Sequence, residues 1–247
     1  MRKKTMGQPN TDLPAPPPEN LARIGEKSFE SFVSQGYKIF KSLDPYLKTL
    51  GVGSRVLDMG IGVGRVSSQA YLIYCDTLEL HGCDVDETAI RYLSEHFPKL
   101  NAIATSHYPP LPYPSHYFDL VYSISLWTHF CEQDQHRWLE EVSRVLKPGG
   151  IALISIAGET SLKAYQDRSH PLWQGVSWED VINAGILYRQ YSTSTLDTAC
   201  PGTNRDYGGT LLSIAWVKEN FSRYLKIVKT EPAVISRQDL VVLVKEH

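Results

Sequence analysis

Apolar positions along the chain fall into short runs that alternate with segments of three-to-four spacing. The short runs at 55–59, 77–83, 101–105, 118–123, 151–157, 224–230 and 240–245 predict strands. The three-to-four pattern predicts helices at 64–73, 87–96, 132–146, 178–183 and 211–221. Strand–helix alternation of this kind predicts a doubly wound α/β fold, with a mostly parallel sheet covered on both faces. Only residues 231–239 separate the last two strands, too few for a crossover helix. A hairpin is expected there, with one strand antiparallel to the rest.

Two regions depart from that rhythm. From 20 to 50 the pattern is helical, with Phe29, Phe32, Val33, Tyr37, Phe40 and Leu43 on one face. Gly36-Tyr37 reads as a joint between two helices, and Pro45 as the first turn of a further short helix capped by Asp44. Residues 158–210 are rich in Ser, Thr, Gly and Tyr, with Trp173 and Trp178 and little periodicity. An insertion after a central strand is expected to be a lid or substrate-binding element, a plain surface excursion being the other reading. Residues 1–19 are polar and proline-rich and are expected as a disordered tail preceding one domain at 20–247.

Charge and composition narrow the function classes. A net charge of −2 over 247 residues gives no basic excess for phosphate neutralisation, so no nucleic-acid partner is expected. No apolar run approaches the roughly 20 residues of a membrane span. The first ten residues lack the apolar segment of a secretory signal. The four cysteines form no C-x-x-C pair, which fits reduced thiols and a cytoplasmic location.

The chemistry concentrates after the first strand, in Val56-Leu57-Asp58-Met59-Gly60-Ile61-Gly62-Val63-Gly64-Arg65. Three glycines spaced by two allow a sharp turn and close approach of a ligand to the main chain. The dinucleotide fingerprint G-x-G-x-x-G would need a glycine at Arg65, which opposes an oxidoreductase with a nicotinamide cofactor. Asp58, two residues ahead of the first glycine, would repel a pyrophosphate. It suits a ligand with an amine and a positive sulfur, S-adenosylmethionine.

This segment resembles the first motif of class I S-adenosylmethionine-dependent methyltransferases. Further blocks resemble theirs in order: Gly82-Cys83-Asp84-Val85-Asp86, then Leu111-Pro112-Tyr113 with Phe118-Asp119-Leu120-Val121-Tyr122-Ser123, then Arg144-Val145-Leu146-Lys147-Pro148-Gly149-Gly150. The resemblance implies a Rossmann-like, seven-stranded sheet, with S-adenosylmethionine as cofactor and S-adenosylhomocysteine as product. It implies that Asp58, Gly60, Gly62 and Gly64 hold the methionine part. Asp84, at the end of the second strand, would accept from the ribose diol. Asp86 fits a helix cap better. Val85, His107, Tyr108, Ser123 and Tyr37 complete the expected cofactor set, His107 standing where related enzymes often carry an acid for the adenine amine. An aromatic face at Tyr37 or Trp127 would suit the sulfonium, though either is also an ordinary core residue. Arg65 reads as a methionine-carboxylate contact or a surface salt bridge. A metal at Asp84-Val85-Asp86 is not expected, since no further ligand lies at suitable spacing.

The narrower likeness is to small bacterial methyltransferases of glycan or secondary-metabolite pathways. It favours a small-molecule acceptor, most of all a hydroxyl of a sugar or natural product. An N-methyltransferase acting on an amine or peptide is the alternative, and a non-catalytic binding module with this fold is another. A hydroxyl acceptor gains from a base, worth roughly 10²–10⁴-fold. His129, in Ser125-Leu126-Trp127-Thr128-His129-Phe130 after the fourth strand, is the first candidate and His170 in the insertion the second. The alternative for His129 is capping or packing. Trp127, Thr128 and Trp173 are expected to line the acceptor pocket. The acceptor's identity and the oligomeric state are not specified by these patterns.

Overall fold

The computed structural model of the protein describes residue 9, residues 12–192 and residues 207–246. The remaining residues of the expected tail, and 193–206 of the expected lid, lie outside the described residues. Seven strands form one sheet in the order β3-β2-β1-β4-β5-β9-β8, and two more form a second sheet, β6-β7. The chain divides into two compact units, residues 1–105 and 106–247.

The first unit holds α1 (Pro18–Arg23), α2 (Phe29–Leu47), β1 (Arg55–Met59), α3 (Ser67–Tyr74), β2 (Glu79–Asp84), α4 (Glu87–His96) and β3 (Leu100–Ala104). β1, β2 and β3 run parallel, with Met59 opposite Cys83 and Asp84 opposite Ala104, so their carboxyl ends finish together. Asp86 caps α4 by accepting from the Thr88 and Ala89 amides, as expected. The joint expected at Gly36 is not formed, because α2 runs unbroken through it. Gly36 instead lets the helix lie against the Arg65 backbone, whose carbonyl carbon would be 3.1 Å from a Cβ there. Pro45 also falls inside α2, near its end, and Asp44 is no cap. The Asp44 carboxylate is buried, accepting from the Tyr74 hydroxyl at 2.6 Å and from Lys48 Nζ at 2.9 Å. Packed residues are found before the expected boundary at residue 20. Leu13 is buried, the Tyr92 hydroxyl donates to the Pro14 carbonyl at 2.8 Å, and α1 begins at Pro18.

The second unit holds β4 (Phe118–Ser123), a 3₁₀ turn (Trp127–His129), α5 (Glu132–Val145), β5 (Leu146–Ile156), α6 (Glu159–Gln166), a second 3₁₀ turn (Pro171–Trp173), α7 (Trp178–Ala184), β6 (Ile186–Gln190), β7 (Gly208–Leu212), α8 (Ile214–Phe221), β8 (Lys226–Ile235) and β9 (Gln238–Val244). β4 and β5 are parallel, and β9 runs antiparallel to both β5 and β8, the expected hairpin. Pro148-Gly149-Gly150 lies within β5. It is a bulge inside β5, whose register on β4 jumps from Phe118↔Leu146 to Leu120↔Ile151. Side chains tie the sequence blocks of this unit together. Lys147 Nζ donates to both Asp119 oxygens at 2.8 and 2.7 Å, and Arg144 donates to the Leu111 and Tyr113 carbonyls.

The insertion is a folded element with its own core of Leu162, Trp173, Val176, Val181 and Leu211. β6 and β7 pair antiparallel, Tyr188 opposite Thr210, and neither strand is visible as a run in the sequence. The helix expected from 211 starts later, because Leu211 and Leu212 finish β7 and Ser213 caps α8 by accepting from the Trp216 amide at 3.2 Å. The Leu212 amide donates to the Ala157 carbonyl at 3.0 Å, closing the insertion where it left β5.

Candidate active site

In the first unit, β1 ends at Met59 and the chain turns through Gly60, Gly62 and Gly64 at φ of 81°, 50° and 75°. All three lie in the region that a side chain makes costly. The Gly60 and Ile61 amides donate to the Cys83 carbonyl at 2.9 and 3.0 Å, which folds the loop back onto β2. The loop glycines are not equivalent. A Cβ at Gly64 would lie 2.7 Å from Leu93 of α4, so that glycine serves close packing, whereas one at Gly62 would first meet Ile24 at 3.4 Å. Asp58 is buried and accepts from the Ser67 hydroxyl at 2.7 Å, tying β1 to the start of α3.

Asp84 closes β2 and faces this loop. Its Oδ2 accepts from the Gly62 amide at 2.7 Å and its Oδ1 from the Asp86 amide at 3.0 Å. A carboxylate has about four acceptor positions, so both oxygens retain capacity for a diol. Burial pushes the Asp84 carboxyl above the usual carboxylate range, against the pull of the two amides. Val85 beside it is exposed, an apolar surface at the strand end. Tyr37 is half-buried on α2, one residue past the glycine that packs on Arg65. Arg65 itself pairs with Glu26 at 2.8 Å, the salt-bridge reading of that residue. These are the features S-adenosylmethionine needs: an open glycine turn, a carboxylate aimed along it and an apolar neighbour. Gly60, Gly62, Asp84 and Val85 would hold it.

In the second unit, His129 ends the 3₁₀ turn that follows β4. Its Nδ1 lies 2.8 Å from the Gly208 carbonyl. A carbonyl only accepts, so Nδ1 carries the proton and the neutral ring keeps its lone pair on Nε2. The Tyr207 ring stacks on the imidazole with centroids 4.4 Å apart and planes at 16°, and Tyr191 lies 6.1 Å away. Burial lowers the His129 pKa, partly offset by the Gly208 bond. A ring held neutral with one basic nitrogen is suited to take a proton.

Three expected pocket residues belong elsewhere. Trp127 is fully buried between Phe130 and Phe221. Thr128 is buried and donates to the Ser125 carbonyl at 3.2 Å. Trp173 is the centre of the insertion core. Large apolar rings gain most from full burial, which decides all but Thr128. His170 caps the second 3₁₀ turn, its Nδ1 accepting from the Leu172 amide at 3.3 Å, and burial lowers its pKa. That bond occupies one ring nitrogen and gives His170 a structural task. Ser123 is buried at the end of β4, His107 is half-buried and Tyr108 is exposed, with the Arg137 guanidinium 5.7 Å from its ring. Sequence reasoning missed Tyr191, Tyr207 and Thr210. Their partners lie near residue 130, and no local pattern marks such a pairing. Among the described residues no group of three His, Cys, Asp or Glu could hold a metal, and no helix is long and apolar enough to cross a membrane.

Comparison with known proteins places this geometry. Residues 57–154 match the family described as a methyltransferase domain. A tRNA (carboxymethyluridine(34)-5-O)-methyltransferase of Arabidopsis thaliana is 29% identical over 54% of this chain and 31% of its own length. A phosphoethanolamine N-methyltransferase of Plasmodium falciparum is 24% identical over 87% of this chain and 83% of its own. The chain spans less than two thirds of the length of the first curated relatives it matches, 31–61%. A TehB-like SAM-dependent methyltransferase from Corynebacterium glutamicum shares the fold, with a TM-score of 0.53 and 16% identity over 92% of this chain and 93% of that one. Residues 57–154 therefore match a methyltransferase domain, and the chain shares the fold of an S-adenosylmethionine-dependent methyltransferase.

Proposed function

We propose that the protein methylates a hydroxyl of a small molecule, a sugar or another natural product, with His129 as the proton acceptor. The observation that carries this reading is the His129 Nδ1 bond to the Gly208 carbonyl at 2.8 Å, which leaves Nε2 basic. S-adenosylmethionine, when bound, supplies an electrophilic methyl on a sulfonium sulfur. Gly60, Gly62 and Asp84 bind and orient it; the cofactor roles of His107, Tyr108 and Ser123 rest on the resemblance alone. His129 takes the hydroxyl proton as the oxygen becomes a nucleophile. Its lowered pKa keeps the ring unprotonated near neutral pH. Tyr191 and Tyr207 offer ring faces beside it on which a sugar or a flat natural product can rest.

A neutral amine attacks without such a base, so an imidazole held in one tautomer favours the hydroxyl reading. The Plasmodium relative's amine acceptor and the Arabidopsis relative's tRNA define the competing outcomes. The net charge of −2 gives little attraction for tRNA. The test is incubation of the purified chain with S-adenosylmethionine and three acceptor panels: hydroxylated sugars and natural products, small amines, and tRNA. Mass spectrometry of the products should show oxygen methylation in the first panel. Products confined to amines or tRNA overturn the proposal.

A further inference from the structure

The Gly208 carbonyl is the group that fixes the His129 tautomer, and it comes from the insertion, 79 residues further along the chain. Something must hold β7 at that distance from the turn after β4. Thr210 is buried at 1% exposure, and its hydroxyl donates to the Phe130 carbonyl at 2.7 Å. Two consecutive residues of the turn, 129 and 130, are thus met by two positions of β7 spaced by two, 208 and 210. Gly208 makes its contact with its backbone carbonyl and Thr210 with its side chain, two positions apart on one strand. Gly208 has to be glycine for β7 to pair closely with β6. A Cβ there would lie 2.5 Å from the Arg189 carbonyl oxygen and 2.7 Å from Cζ of Tyr188 on the paired β6. Gly208 therefore brings no side-chain packing of its own to this contact, and a valine at 210 would fill the same volume as threonine without any hydrogen bond.

We infer that Thr210 is a positioning residue for His129: its hydroxyl pins β7 to the Phe130 carbonyl, so that the Gly208 carbonyl holds the proton on Nδ1 and leaves Nε2 free to accept. The inference deepens the proposed function and rests on it for its catalytic meaning. The structural link itself is independent of any acceptor. Acceptor recognition and activation then share one strand, because the insertion that frames the substrate also sets the state of the base.

Long-range proton–nitrogen correlation spectra of ¹⁵N-labelled protein at pH 8 test it, with His129 assigned by difference against His129→Gln. The wild type should show the Nδ1-protonated ring. Thr210→Val and Thr210→Ala should shift His129 at least several-fold toward the Nε2-protonated form that free imidazoles favour, and Thr210→Ser should restore the wild-type signal. Calorimetry with S-adenosylhomocysteine should give affinities within about twofold for all three. A wild-type ring protonated on Nε2 overturns the inference, even if no Thr210 variant folds. So does an unchanged tautomer in folded Thr210→Val or Thr210→Ala. These readouts need no turnover, so they stand apart from the base assignment. Full activity of His129→Ala would remove the base and leave the Thr210 link intact.

Discussion

The glycine loop and the insertion each hold a polar group in place through a backbone contact, but they reach it by opposite routes. In the loop, the need is local. Asp58, Gly60, Gly62 and Gly64 follow one another, and each glycine sits at a positive φ that almost no other residue adopts at ease. In the insertion, the need is a pairing. His129 depends on Gly208 and Phe130 on Thr210, contacts 79 and 80 residues apart. The first kind of demand leaves a motif in the sequence. The second leaves only a glycine and a threonine among many.

Mutations can separate the two regions. The largest effect is expected at Trp173, the buried centre of the insertion. Trp173→Ala should lower unfolding free energy by about 3–5 kcal/mol in urea titrations. A Trp173→Ala protein of full stability with a raised KM would return Trp173 to the acceptor surface and undo the distinction drawn above.

Next comes the proposed base, His129. His129→Ala should reduce turnover of the identified hydroxyl acceptor by about 10²-fold or more, with S-adenosylhomocysteine affinity held. The pH profile sharpens this. Burial lowers the His129 pKa, so activity should stay flat down to about pH 6.5 and fall only below it, as the ring gains a proton. Tyr191 and Tyr207 are the rings that lie beside it. A mutant with near-wild-type turnover removes His129 from the mechanism.

At the loop, Asp84→Asn should weaken S-adenosylhomocysteine binding at least tenfold, in line with about 1.5–3 kcal/mol for a charged hydrogen bond. Titration calorimetry reads it directly, and an unchanged affinity would show that the carboxylate serves only the Gly62 and Asp86 amides. The smallest effect is on stability against pH. His81, His129 and His170 all have pKa values lowered by burial. A folded value below the unfolded one means the unfolded chain binds protons first as pH falls. Their contribution is complete above about pH 6.5 and is lost below it, so the melting temperature should decline on acidification through that point. A melting temperature that rises there would show the rings gain partners on protonation.

Legibility in the sequence followed the same divide. β1, β4 and α4 lie where the apolar runs and the Asp86 cap put them, because strand ends and caps are written in neighbouring residues. Gly36 misled because its reason is the Arg65 backbone, 29 positions away, and nothing in the helix pattern separates a packing glycine from a joint. β6 and β7 were invisible because a two-stranded antiparallel pair of Tyr188-Arg189 on Gly209-Thr210 has no apolar alternation to reveal it. Trp127 and Trp173, expected to line the acceptor pocket, are buried in apolar packing. Aromatic composition shows that burial matters and leaves open where the ring is buried.

The contacts that Gly208 and Thr210 of β7 make with the turn after β4 bear on how such enzymes can be re-engineered. Exchanging an acceptor-binding insertion between two methyltransferases is a natural way to transplant specificity. Here the transplant would remove the carbonyl that sets the proton on His129. A graft that matches the new substrate but shifts the strand by one residue would present a side chain where Gly208 stands and turn Thr210 to the opposite face. Under the proposed function, specificity and reactivity are inherited together, and the unit to exchange is the insertion with the turn at 125–130.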